Sequence, residues 1–157
     1  MNSYVCFKLV VSFFLVGSYF FLPKYGFTAF WWDGCHDIPT YTNHLLYPLS
    51  HASIWHLAAN ILCLWMLRCP LHLFITYAIA VACSFLPSFA IEPTYGYSGV
   101  LFAMVGISWG KVHRFRDMLW KNKWILIVPA FIPHINFLIH IYCLLAGYLY
   151  GRYATRD

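Results

Sequence analysis

Six apolar stretches constrain the fold of this chain more than any other feature of its sequence. They are separated by short segments that carry charge, proline or glycine, and they lie roughly at residues 4–22, 53–67, 71–87, 97–111, 120–133 and 136–152. Of the 157 residues, 62% are hydrophobic and 10% are charged, whereas a soluble domain has about 45–50% apolar and about 25% charged residues. A single domain of this length cannot bury so much apolar surface in water, so lipid must solvate it.

The sequence therefore predicts an all-α membrane protein, a bundle of six transmembrane helices that forms one domain over residues 1–157. This composition excludes a disordered tail, an arm that binds nucleic acid and an ordinary soluble enzyme. An apolar stretch with no cleavage site after it begins the chain, and we interpret it as an uncleaved first span. The cysteines are scattered and include no CxxC pair, so we expect no disulfide framework.

The distribution of positive charge predicts how the six helices cross the bilayer. Six crossings place most basic residues on one side, namely Arg68, Lys111, Arg114, Arg116, Lys121, Lys123, Arg152 and Arg156. The positive-inside rule then places both termini in the cytoplasm. Lys8, near the start of the first span, is expected to snorkel towards the same side. If the fifth stretch did not cross, the C-terminal arginines would move outside and the asymmetry would weaken.

Polar side chains at membrane depth are costly, and they are candidates for function. Those on the second stretch are His51, His56 and Asn60. The four-residue spacing of His56 and Asn60 puts both on one face of a helix. Two donors on one face could polarise a carbonyl oxygen or stabilise an oxyanion. Alternatively, they hydrogen-bond to neighbouring helices and only support packing.

A serine between two glycines opens the fourth stretch, in the motif Gly96-Tyr97-Ser98-Gly99. The glycines permit a tight turn and a close approach of the backbone, which leaves the Ser98 hydroxyl accessible. The Ser98 N–H would lie at a helix N-terminus, where developing negative charge is favoured. The alternative interpretation is that Ser98 caps the helix, because serine is a preferred N-cap residue.

Small residues provide a means for Ser98 to meet His140 on the sixth stretch. They form one stripe on the fourth stretch and another on the sixth, Gly99, Ala103, Gly106 and Gly110 with Gly147 and Gly151. Such stripes let two helix backbones approach closely. No carboxylate lies at this depth, so a histidine base would have to act alone. We expect packing, through the ring of Phe102 one turn after Ser98, to orient His140.

Taken in order, these motifs resemble those of the rhomboid family of intramembrane serine proteases. The matching elements are His51-x4-His56-x3-Asn60, Gly96-Tyr97-Ser98-Gly99, and His140 followed by Gly147. The resemblance covers approximately residues 40 to 152. The family often has a tyrosine where Phe102 stands. It also has a glycine in place of Cys143, and we expect the cysteine to loosen the approach of the fourth and sixth helices.

The resemblance implies that Ser98 attacks the scissile carbonyl and that His140 is the general base and then the acid. It also implies an oxyanion hole made by His56, Asn60 and the Ser98 N–H, with His51 nearby as a structural or water-orienting residue. The substrates would be transmembrane proteins, cleaved in a cavity open to the outer side. Neither a metal nor an organic cofactor is implied. The small size and the absence of targeting segments favour a bacterial inner membrane.

Two other functions compete with proteolysis. One is a catalytically inactive rhomboid-like protein that binds membrane clients, although such relatives typically lack the serine or the histidine. The other is a small transporter or metal channel that uses histidines of the first loop and second stretch, His36, His44, His51 and His56. A channel of that kind would need acidic or thiolate partners at membrane depth. The sequence has no acidic ones there, and its thiols are scattered.

Overall fold

The computed structural model of the chain describes most of the predicted bundle. The described residues are 3–22, 38–67, 72–86, 94–112, 115–124, 127 and 136–154. The elements of regular structure within these ranges are helices, which confirms the predicted all-α fold. The helices are α1 (Ser3–Phe21), α2 (Ile38–Leu46), a 3-10 helix (Tyr47–Leu49), α3 (Ile54–Met66), α4 (Leu73–Ser84), α5 (Ser98–Lys111), α6 (Phe115–Lys121) and α7 (Phe137–Tyr153).

Five of the six predicted spans coincide with helices, namely α1, α3, α4, α5 and α7. In the part of the chain that the structure describes, one helix is long and apolar enough to cross a membrane, over Tyr4–Phe21. The apolar helices α3 and α4 are shorter. The fifth predicted span, residues 120–133, lies mostly outside the described residues, which there include the end of α6, a turn and Trp124.

Two short helices lie where the sequence predicted only loops. The first is α2, within the long outer loop that follows the first span, and the second is α6, within the basic loop after α5. Short helices are marginal on their own and depend on tertiary contacts. For α2 such a contact is visible, because the buried His44 ring hydrogen-bonds through Nδ1 to the Ser84 hydroxyl at 2.7 Å and stacks on Phe85.

The centre of the fold is α5, which is buried on all sides. Between Gly99 and Gly110 every residue except Ser108 is buried. A helix that is apolar around its whole circumference is typical of a position surrounded by other helices. Helix α7 makes the most extensive contact with α5, and α4 packs against both.

Glycines bring the backbones of α5 and α7 into direct contact. A Cβ atom added to Gly106 would lie 2.2 Å from the Leu144 carbonyl oxygen. On the opposite helix, a Cβ at Gly147 would lie 2.3 Å from the Ala103 carbonyl oxygen. Both distances are shorter than any real contact of a Cβ atom. The predicted small-residue stripes therefore form the seam between these two helices, and only glycine fits at these positions.

Lys8 extends towards the end of α3, which directly precedes the basic residue Arg68. Its side chain is buried, and the ammonium group donates hydrogen bonds to the carbonyl oxygens of Trp65 at 2.8 Å and Leu67 at 2.6 Å. The Tyr4 hydroxyl donates to the same Leu67 oxygen. These carbonyls lie at the C-terminal end of α3, where positive charge is favoured. Lys8 thus fastens α1 to the end of α3.

Candidate active site

The Ser98 hydroxyl and the His140 imidazole meet at the same end of the α5–α7 pair. Ser98 is the first residue of α5 and His140 is the fourth residue of α7. Their Oγ and Nε2 atoms are 2.8 Å apart, a hydrogen-bond distance. His140 is buried, whereas Ser98 is half-buried and therefore reachable from outside the protein. The contact between these two residues was predicted from the sequence, and the structure contains it.

Ser98 does not serve as the cap of its helix. The N-cap residue of α5 is Tyr97, which makes no side-chain capping hydrogen bond. Because Ser98 is already inside the helix, its hydroxyl is directed to His140 instead of to the backbone N–H groups of the first turn. The alternative interpretation of this serine as an N-cap is therefore wrong.

The ring of Phe102 orients His140. The two rings stack with centroids 4.4 Å apart and planes within 10° of parallel. The buried Nδ1 atom of His140 has no hydrogen-bond partner among the described residues. Packing against an aromatic face therefore holds the imidazole, as the sequence predicted from the lack of a carboxylate at this depth.

Cys143 does not separate the two helices, contrary to our expectation. Its side chain is fully buried one turn after His140. The residue opposite is Gly99, and a Cβ there would lie 3.4 Å from the Cys143 sulfur. Because Gly99 has no side chain, the Cys143 thiol fills the space that a side chain at position 99 would occupy. The backbones of α5 and α7 therefore remain in contact at the glycine seam further along the two helices.

His56 and Asn60 lie against the backbone turn that leads into Ser98. Gly96 has a φ of +96°, a conformation that favours glycine. A Cβ on Gly96 would lie 2.5 Å from His56 Cε1 and 3.5 Å from Asn60 Nδ2. The Asn60 amide is buried, and its nitrogen has no hydrogen-bond partner in the described part of the chain. A buried donor without a partner is available to an acceptor that enters the site.

The helix that carries this pair is held in place at its N-terminus. Ser53 is the N-cap of α3, and its hydroxyl accepts a hydrogen bond from the His56 backbone N–H. The His56 ring meets the Tyr95 ring edge-on, with centroids 5.6 Å apart. Tyr95 precedes Gly96, so this contact adds a further link between α3 and the turn before Ser98. Sequence analysis did not assign a role to Tyr95.

His51 lies beside His56 and precedes α3. The two ring centroids are 5.3 Å apart, and His51 Nδ1 contacts the Leu49 carbonyl oxygen at 3.2 Å. His51 is buried, and its Nε2 has no partner within the described residues. The structure thus places His51 next to the site but not in contact with the Ser98–His140 pair.

Tyr47 is a second residue near the site that sequence reasoning missed. Its backbone oxygen accepts a hydrogen bond from the Gly96 N–H at 2.9 Å, and its hydroxyl donates to the Ala80 carbonyl oxygen at 2.9 Å. The buried 3-10 helix that contains Tyr47 therefore supports the turn before Ser98 through this backbone hydrogen bond. Nothing local in the sequence signals a contact between residues so far apart in the chain.

The histidines proposed for a metal channel are not gathered in one place. His44 contacts Ser84 and Phe85, away from His51 and His56, and His36 lies outside the described residues. Among the residues that the structure describes, no three metal-ligating side chains come together. The arrangement instead combines a hydroxyl, an adjacent imidazole and, beside the turn that precedes the hydroxyl, the Asn60 amide donor. A nucleophile, its base and a hydrogen-bond donor are the groups that acyl transfer requires.

Comparison with known proteins assigns most of the chain to one family. The family model described as Rhomboid domain matches residues 39–157. The match includes the helices that carry all the site residues discussed above. Comparisons with curated proteins and with solved structures gave no match.

Proposed function

This chain belongs to the rhomboid family of integral membrane proteins, and on that premise we propose that it is an intramembrane serine protease. Its substrates are other membrane proteins, whose peptide bonds it hydrolyses in or near their transmembrane segments. The observation that carries this proposal is the 2.8 Å contact between Ser98 Oγ and His140 Nε2. A nucleophile within hydrogen-bond reach of its base is the basic requirement of serine-dependent acyl transfer.

In the proposed first step, Ser98 Oγ attacks the scissile carbonyl carbon while His140 Nε2 takes the hydroxyl proton. The carbonyl oxygen becomes an oxyanion, which hydrogen bonds from His56, Asn60 and the Ser98 N–H stabilise. The first N–H groups of an α-helix have no partner inside the helix, so the Ser98 N–H is available for this role. His140 then donates its proton to the leaving amine, which departs and leaves an acyl-enzyme.

Water completes the proposed reaction. His140 accepts a proton from a water molecule, which attacks the ester carbonyl, and the same oxyanion site stabilises the second tetrahedral intermediate. As this intermediate collapses, the bond between Ser98 Oγ and the acyl carbon breaks, and Ser98 Oγ takes up the proton that His140 returns. The half-buried position of Ser98 is consistent with access for both substrate and water.

We further propose that the chain crosses the bilayer six times with both termini in the cytoplasm, and that the site opens to the outer side of a bacterial inner membrane. Three features support this arrangement. The basic loops fall on one side under this topology. Ser98 and His140 both lie in the first turn of their helices, which is consistent with a site near one membrane surface. Lys8 meets the end of α3, as expected if α1 begins where α3 ends.

Cleavage of a transmembrane reporter in proteoliposomes tests the proposed activity. We expect the purified protein to cut a reporter whose helix contains destabilising residues, and Ser98→Ala to abolish the cut. Ser108→Ala is the matched control, because it makes the same change on the same helix away from His140, and it should remain active.

Two results would contradict the proposal. Cleavage that persists in Ser98→Ala would come from another hydrolase. Reporter binding without cleavage by the wild-type protein would favour the inactive client-binding alternative.

A further inference from the structure

One buried hydrogen bond joins the two segments that lead into α5 and α7. Asn136, the N-cap residue of α7, donates from Nδ2 to Thr94 Oγ1 at 2.7 Å. Both side chains are buried, with 8% of Asn136 and 5% of Thr94 exposed. Thr94 precedes Ser98 by four residues and Asn136 precedes His140 by four residues. The bond therefore links the two chain segments at the same sequence distance from the two reacting side chains.

The glycine seam between α5 and α7 does not itself reach this end of the helices. Gly147, which contacts the Ala103 backbone, lies about 10 Å beyond His140 along α7 at 1.5 Å per residue. Closer to the dyad the contact is between the Cys143 side chain and Gly99. A side-chain contact yields more easily than a backbone contact. The ends that carry Ser98 and His140 therefore need a further restraint.

The Thr94–Asn136 bond is placed to supply that restraint. It lies about one helical turn, or roughly 6 Å, before His140 on α7, on the side of the dyad opposite the seam. In the segment that leads into α5, the same hydrogen bond anchors the residues that immediately follow Thr94. Two of these are Tyr95, which contacts the His56 ring, and Gly96, which lies against His56 and Asn60.

We infer that the Thr94–Asn136 hydrogen bond is a positioning clasp, which together with the glycine seam sets the distance between Ser98 Oγ and His140 Nε2. The same bond holds the turn at residues 95–97 against His56 and Asn60. Neither residue contacts the reacting atoms, so both act through the groups that they position. The inference rests on the proposed protease function and adds to it two positioning residues outside the motifs.

The size of the expected effect follows from how steeply acyl transfer depends on geometry. A misplacement of about 1 Å at a reacting pair costs on the order of 100-fold in rate. Loss of the clasp leaves the glycine seam intact, so the displacement is smaller than that. We expect Thr94→Val, which keeps the shape of the side chain and removes its hydroxyl, to slow reaction of Ser98 by about 10-fold to 100-fold.

The test compares Thr94→Val, Thr94→Ser, Asn136→Ala and the double variant in full-length protein in vesicles. Two rates are measured, labelling of Ser98 by a fluorophosphonate and cleavage of a transmembrane reporter. We expect Thr94→Val and Asn136→Ala to lower kcat with little change in KM, and the double variant to be no slower than either alone. Thr94→Ser keeps the hydroxyl and should retain most of the wild-type rate.

Thr76→Val is the matched control, because Thr76 is also buried but its hydroxyl bonds only to carbonyls of its own helix turn, those of His72 and Leu73, among the contacts described. We expect this variant to react at the wild-type rate. Equal losses in Thr94→Ser and Thr94→Val would overturn the clasp, since the hydroxyl would then be irrelevant. So would a loss in Thr76→Val as large as in Thr94→Val, which would show a general effect on stability.

Hydrogen–deuterium exchange tests the clasp even if the wild-type protein proves inactive. We expect faster exchange of the Gly96 and Leu101 amides, which donate to the Tyr47 and Tyr97 carbonyl oxygens, in Thr94→Val. We expect no change at these amides in Thr76→Val. Unchanged exchange in Thr94→Val would overturn the clasp whatever the activity. Wild-type protein that neither labels nor cleaves, but shows the expected exchange, would overturn the proposed function and keep the clasp as a structural link.

Discussion

Replacement of Gly147 by alanine tests whether the close approach of α5 and α7 is what brings Ser98 and His140 together. A Cβ at this position would lie 2.3 Å from the Ala103 carbonyl oxygen and 3.0 Å from its carbonyl carbon. Ordinary van der Waals contact begins at 3.4 Å. Because the opposing atoms are backbone, no side chain can rotate out of the way, and the helices themselves must separate.

The separation needed is about 1 Å, the difference between the clash and an ordinary contact. If this displacement reaches the dyad, the Oγ–Nε2 distance of 2.8 Å grows beyond hydrogen-bond reach. A misplacement of that size costs about 100-fold in rate. We therefore expect Gly147→Ala to slow serine labelling by on the order of 10-fold to 100-fold, together with a lower temperature of unfolding.

Labelling of Ser98 by a fluorophosphonate, followed over time in detergent, measures this effect directly. Gly17→Ala is the control, because a Cβ at Gly17 meets nothing within 4 Å. It makes the same substitution inside a helix, where alanine is favoured over glycine. We expect Gly17→Ala to label at the wild-type rate. Labelling of Gly147→Ala at that same rate would refute the argument that the glycine seam contributes to the geometry of the dyad.

Three further substitutions test the proposed oxyanion donor, the orientation of His140 and the contact between α1 and α3. Asn60→Ala should lower the rate of reporter cleavage about 10²-fold to 10³-fold, because it removes one proposed oxyanion donor, and steady-state kinetics should show the loss mainly in kcat. Phe102→Leu removes the ring that stacks on His140 and should slow labelling about 2-fold to 10-fold, since such stacking contributes about 0.5–1.5 kcal/mol; an unchanged rate would mean that another contact orients His140. Lys8→Met should lower the free energy of unfolding by about 1–3 kcal/mol, because it removes the buried donor to the Trp65 carbonyl and leaves the Leu67 carbonyl to the Tyr4 hydroxyl. It should leave the Ser98 labelling rate of the folded protein unchanged.

The sequence predicted those features of the fold that short-range patterns encode. Apolar stretches bounded by charge or proline matched five of the helices, because lipid solvation requires a continuous apolar segment. The stripes that include Gly106 and Gly147 predicted the α5–α7 seam, since only glycine lets backbones touch. Gly96 predicted a turn, and the structure has a positive φ there.

Features that depend on contacts between distant segments could not be predicted in the same way. Helix α2 forms within a loop, and contacts of His44 with the end of α4 hold it there. The turn at Gly96 is held by the Tyr47 backbone, which has no sequence signature because any residue supplies a carbonyl oxygen. The sequence predicted the side towards which Lys8 extends but not its burial, because the burial depends on where α3 ends.

The same distinction between short-range patterns and distant contacts applies to the residues of the candidate site. Ser98 and His140 were identified from residue type and flanking glycines, and Phe102 from its position one turn after Ser98. Thr94 and Asn136 carry no motif, and their importance follows only from the bond that joins them. The effect of Cys143 was misjudged because its consequence depends on Gly99 across the interface.

We propose above all that the His140 imidazole, which has no carboxylate partner among the described residues, activates the Ser98 hydroxyl inside this helix bundle. Fluorophosphonate treatment of the wild-type and His140→Ala proteins, with the adduct located by mass spectrometry of peptides, tests it most directly. We expect a single adduct on Ser98 in the wild-type protein and none in a folded His140→Ala variant. A wild-type protein without an adduct, or a variant that labels at the wild-type rate, would contradict it.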